Sequence, residues 1–153
     1  MMKRILTIIL VTALFFACNN NADNSSATGK DEPKTKADSL YKEVIDGHNV
    51  AMGKGSKVTA AQKKVQLAID SINKLPAKQQ KSIADYKTEL DSLSEKLKYA
   101  EFSMNKWMDE FKYDSATNGS NREAYLESEN QKILKVKEAM TTALQKADSL
   151  FKK

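Results

Sequence analysis

The sequence contains one cysteine, one histidine, two prolines and five glycines in 153 residues, and each scarcity closes a class of chemistry. A lone cysteine has no partner for an internal disulfide and cannot form a thiolate metal cage, so packing alone must hold the fold. The five glycines form no phosphate-cradling cluster. The single histidine sits in no nucleophile motif, and no dinucleotide fingerprint or paired-carboxylate pattern is present. These absences predict a protein without catalysis. No segment alternates with period two for long enough to make a strand. The longest apolar run, Ile5 to Ala17, falls short of the ~20 residues a bilayer-crossing helix needs.

That short run is nevertheless informative. Lys3 and Arg4 precede it and Cys18 comes directly after it, the pattern of a secretory signal over residues 1–17. Phe15-Phe16-Ala17-Cys18 resembles a bacterial lipobox, with Phe15 where Leu is usual. The expectation is that Cys18 is diacylated and becomes the mature N-terminus, the alternative being a free thiol. Two acyl chains make a durable membrane anchor, each buried methylene contributing about 0.8 kcal/mol. Lys3 and Arg4 leave with the signal, which lowers the net charge from its full-chain value of +5. Acidic and basic residues interleave along the remainder, which argues against a nucleic-acid partner. Lys63-Lys64 and Lys152-Lys153 read as solvated faces, with a lipid-headgroup contact as the alternative.

Residues 18–35 carry almost no apolar side chain and cannot offset the entropy of ordering, so they are expected to form a disordered tether. Such a tether spans roughly 20–25 Å. From Lys36 onward the apolar residues fall at helical spacing. Tyr41, Val44, His48, Ala51, Gly55, Val58, Gln62, Val65, Ile69 and Ile72 trace one stripe, weakened by the glycines near Gly53–Ser56. Asn73-Lys74-Leu75-Pro76 ends it, and Pro76 suits the first turn of the next helix. A second stripe runs from Ile83 through Leu90, Leu97 and Trp107 to Phe111. Ser120 and Glu123, spaced as a capping box, predict the start of a third, which runs from Leu126 to Leu150. The prediction is all-α: an antiparallel three-helix bundle over residues 36–153, roughly 50 Å long, with four helices if the first breaks near Gly53–Ser56. Intermolecular coiled coils, and hence a homo-oligomer, are the alternative.

One constellation stands apart. His48 and Met52 share a helix face, as do Met104 and Met108, with Trp107 between the latter pair. Counting back from Pro76 sets His48 level with Met104 and Val44 level with Trp107. Tyr125, Glu129 and Asn130 come to the same layer from the third helix. Thioether sulfur with one imidazole suits Cu(I). Haem held by His and Met fits less well, because only Ala51, Gly55 and Ala100 would make room for it. The competing reading is core packing, methionine against aromatic rings, with His48 hydrogen-bonded to Glu129 or Asn130. Tyr99, Phe102 and Tyr113 fall outside the stripes and either widen the buried face or form a patch for a partner.

Val44 to Lys54, centred on His48 and Met52, resembles a motif of small Bacteroidota lipoproteins labelled "viral A-type inclusion protein". Met104-Asn105-Lys106-Trp107-Met108-Asp109-Glu110-Phe111 resembles a second motif of that group. Tyr125-Leu126-Glu127 with Lys132-Ile133 and Lys135-Val136 resembles a third. Asn49 stands where the group has Asp, and Gly53 where it has Pro. The resemblance implies a lipid-anchored helical protein of a Gram-negative envelope, with no activity attached to the label. Nothing after Cys18 looks like a surface-export signal, so the outer membrane, facing the periplasm, is the expected location. The expected function is interaction or scaffolding with an unidentified envelope protein, the alternative being a Cu(I) or other cofactor module.

Overall fold

The computed structural model describes residues 35–152, and every regular element among them is helical. The expectations for residues 1–17, for Cys18 and for the tether up to residue 34 lie outside the described residues. The helices are α1 (Lys36–Met52), α2 (Gly55–Asn73), α3 (Ala77–Ser82), α4 (Ala84–Glu110), α5 (Tyr113–Thr117) and α6 (Arg122–Phe151). None of the described helices is long and apolar enough to cross a membrane.

A capping box that sequence reading passed over starts α1. The Thr35 hydroxyl accepts from the Asp38 N–H, and the Asp38 carboxylate accepts from the Thr35 N–H, both at 3.1 Å. The glycine-weakened region does break the first helix, but only for Gly53 and Lys54. Both stay right-handed helical, at φ −60° and −96°. The Gly53 N–H still reaches the Asn49 carbonyl at 3.0 Å, and Val58 N–H reaches that of Lys54 at 3.0 Å. The buried residues therefore keep phase across the break. Val44, Ala51, Val58, Val65 and Ile72 each lie seven positions from the next.

In α4 and α6 both heptad core positions are buried. Leu90, Leu93, Leu97, Ala100, Met104 and Trp107 alternate steps of three and four, as do the residues from Leu126 to Leu150. In α1 and α2 the second core position is occupied by Tyr41, His48, Gly55, Gln62 and Ile69, all half-buried. The first stripe is thus the shallowest. Leu90, Leu93, Leu97, Leu126 and Ile133 are fully enclosed, each contributing about 1.5–3 kcal/mol of transfer free energy.

Cross-helix contacts give the directions. Asp38 meets Arg122, Glu43 meets Asn130, and Gly47 lies against Ile133, so α1 and α6 run the same way. His48 meets Trp107, Gln62 meets Glu101, and Glu89 lies near Lys146, so α4 runs against both.

The connections depart from expectation. Pro76 is not in the first turn of a long helix; it precedes the short α3 with φ −57° and ψ 145°. The Gln80 side chain donates to the carbonyls of Leu75 (2.7 Å) and Asn73 (3.2 Å), closing the end of α2. Because the turnaround extends from Lys74 to Ile83, the facing register moves by three residues, and His48 packs on Trp107 instead of lying level with Met104. The expected Ser120–Glu123 capping box is absent. α6 begins after Asn121 with no side-chain cap, because the Glu123 carboxylate instead receives Lys36. Between the second and third stripes lies the short α5, which buries Ala116.

Candidate functional site

The end of the fold where α1 begins is built around Trp107. Its ring lies 5.4 Å from that of His48 and 4.9 Å from that of Phe111, which continues to Tyr125 at 6.1 Å. Phe111, the residue that ends α4, lies one turn beyond Trp107, while His48 and Tyr125 arrive from α1 and α6. The Tyr125 hydroxyl accepts from the Lys112 N–H at 2.7 Å and so ties α6 to the segment leaving α4. Burial pushes the Tyr125 phenol up from its ordinary value. The indole N–H of Trp107 is buried and has no acceptor among the described residues.

Beside this ladder lies an ionic clasp. Arg122 donates from Nη1 to Asp38 at 2.8 Å and from Nε to the Ala116 carbonyl at 2.6 Å. The Arg122 hydrogen bond, with help from Thr35, holds the Asp38 carboxyl below its ordinary range. Lys36 bridges Glu123 and Glu127, whose carboxylates raise its ammonium pKa.

The residues singled out from sequence are only partly gathered here. His48 is half-buried, with Nδ1 lying 3.3 Å from Asn49 Oδ1. Its expected hydrogen bonds to Glu129 or Asn130 are not formed. Glu129, only 2 % exposed, instead accepts from Lys132 at 2.7 Å, and that bond raises the Lys132 pKa. Asn130 donates to Glu43 at 2.7 Å. Both partners were missed because they sit on faces that the apolar count ignores. Met104 is buried, whereas Met52 and Met108 are 49 % and 38 % exposed. The four residues proposed for Cu(I) thus do not share one buried environment. Among the described residues, no three His, Cys, Asp or Glu side chains are grouped to hold a metal.

Trp107 also borders a groove between α4 and α6. Two hollows of about 690 and 330 Å³ adjoin there and share Tyr99 and Lys135 as lining. Tyr99 and Phe102 are 63 % and 61 % exposed, so they do not widen the buried face. Charge along this groove is mixed, with Lys106, Lys132 and Lys135 near Glu95, Glu110 and Glu138. The trough is thus aromatic and mixed in charge, with apolar surface open to contact. Comparison of the chain with family models, curated proteins and solved structures gives no match.

Proposed function

We propose that the chain is a lipid-anchored protein of a bacterial envelope whose antiparallel three-helix bundle is a non-catalytic interaction module. In this reading α1 and α2 together form the first leg, α4 the second and α6 the third, and a partner docks along the α4–α6 groove. The observation that carries it is the pair Tyr99 and Phe102, large aromatic side chains left outside the core beside an open trough. Aromatic residues at a concave, charge-rimmed surface supply much of the binding energy of protein interfaces. The apolar leader and the Cys18 directly after it supply the anchor. The tether then holds the module within a few tens of ångströms of the membrane.

Two measurements test this. Mass spectrometry of native material is expected to find residues 1–17 removed and Cys18 diacylated; an intact leader overturns the location. A photo-crosslinker at Phe102 is expected to capture one envelope protein in cells, with capture lost in Tyr99→Ala. Capture that is unchanged in that variant, or equal from an exposed control position such as Lys78, overturns the docking face.

A further inference from the structure

The interleaving of charge read from the sequence is uneven. Between Asp46 and Asp70 there is no carboxylate, while Lys54, Lys57, Lys63 and Lys64 all fall in that interval. Folding brings three of these lysines to a second groove, between α2 and α6, and Lys152 joins them from the far end of α6. One lysine from each of the two runs that read as separate solvated faces, Lys64 and Lys152, therefore lines the same groove. Lys54, Lys57, Lys64 and Lys152 form no salt bridge among the described residues, unlike Lys36, Lys42, Lys87, Lys98, Lys106, Lys132 and Lys146. Asp148 is the one carboxylate lining this groove. The Lys64 ammonium lies 4.2 Å from the centre of the Phe151 ring, which holds the charge at the rim instead of releasing it to solvent.

The floor is of the opposite character. Ala61, Leu144 and Ala147 line it, and the hollow has a volume of about 560 Å³. Its margins run from Lys54, the residue before α2, to Lys64 and from Thr141 to Lys152, the residue after α6, about three helical turns or ~16 Å. Small side chains on a floor between two helices running the same way let a further helix approach to the usual 8–10 Å. A flat bilayer surface could meet the lysines but could not enter the trough. We infer that the α2–α6 groove is a docking site for an acidic amphipathic helix of a partner protein. In the complex the apolar stripe of that helix lies on Ala61, Leu144 and Ala147, and its flanking carboxylates pair with Lys54, Lys57, Lys64 and Lys152. This rests on the reading of the bundle as an interaction module, and it adds a second face and the chemistry of what docks there.

The test uses the purified full chain and a fluorescent, hydrocarbon-stapled helix of Ala and Leu with Glu along both flanks. Saturable binding is expected, and it should weaken as salt is raised. Lys57→Glu with Lys64→Glu should weaken it about tenfold or more, with helicity by circular dichroism unchanged. Lys78→Glu with Lys81→Glu, the same change of charge on the exposed α3, should leave it within about twofold. No saturable binding, equal losses in the two double variants, or equal binding of a shuffled peptide of the same composition overturns the proposal. So does binding to phosphatidylglycerol vesicles that depends on Lys57 and Lys64 while peptide binding does not. An unacylated Cys18 would remove the envelope setting and leave this groove standing, so the two readings fail separately.

Discussion

Gly47 is where a single side chain decides how closely two helices approach. A Cβ there would lie 3.1 Å from Ile133 Cγ2, tighter than ordinary contact, so the α1 backbone sits directly on an α6 core residue. Gly47→Leu is expected to destabilise the fold by about 1–3 kcal/mol through overpacking, measured by urea unfolding. A neutral result would mean that α1 can shift away freely. Asp38 makes a pH-dependent contribution whose sign is set by its depressed pKa. Its hydrogen bonds to Arg122 and Thr35 favour the charged form, so their stabilisation is present above the unfolded carboxylate pKa of about 3.9. It is lost as pH falls through the lower folded value. Stability should therefore fall less steeply with acid in Asp38→Asn than in the wild type. Equal slopes in urea melts across the acid range would remove Asp38 from the account.

For whole helices, the two-residue break at Gly53–Lys54 is a test of why the first leg is interrupted. Gly53 has φ −60°, an added Cβ would meet only ordinary contacts at 3.4 Å and beyond, and Gly55 has open space around it. Alanine fits both sites, so Gly53→Ala with Gly55→Ala is expected to stabilise by about 1 kcal/mol through propensity and unfolded-state entropy. A lower urea midpoint in that variant would show that the turn needs the glycines. The three stripes could be read in the sequence because burial repeats with the helical period, and nearly every stripe residue is buried or half-buried. The connections could not. α3 and α5 are too short to display a period, so neither Gln80 closing α2 nor Ala116 in the core left a mark on the pattern. The candidate site was half foreseen. His48, Trp107 and Tyr125 do gather, but a longer turnaround moved the register, and Met52 and Met108 stayed at the surface. The α2–α6 groove escaped because Lys64 and Lys152 are neighbours only through the packing of α2 beside α6, which counting through Pro76 does not reach.

At the scale of the whole fold, the described residues share one continuous core, from Val44, Trp107 and Leu126 at the end where α1 begins to Ile72, Leu90 and Leu150 at the other. No layer of polar residues divides it, since Glu129 is the only charged side chain buried among the described residues. A core stitched along its length in this way should unfold as a unit, and the sole tryptophan makes that testable. Trp107 fluorescence reports the end where α1 begins, where the aromatic ladder and the Asp38–Arg122 clasp sit, while far-ultraviolet circular dichroism reports all the helices. The two probes are expected to give coincident urea transitions. Leu97→Ala, in the middle of α4 and fully enclosed, should lower stability by about 2–5 kcal/mol. Both transitions should move together, because a cavity in one layer loosens helices that every other layer shares. If the fluorescence change came first, with most of the helix signal still present, the end around Trp107 would be a separate cooperative unit. The half-buried second positions of α1, from Tyr41 to His48, are where that separation would begin. Docking at the α4–α6 groove, which Trp107 borders, would then act on a part of the fold able to open on its own, whereas the α2–α6 groove lies toward the other end.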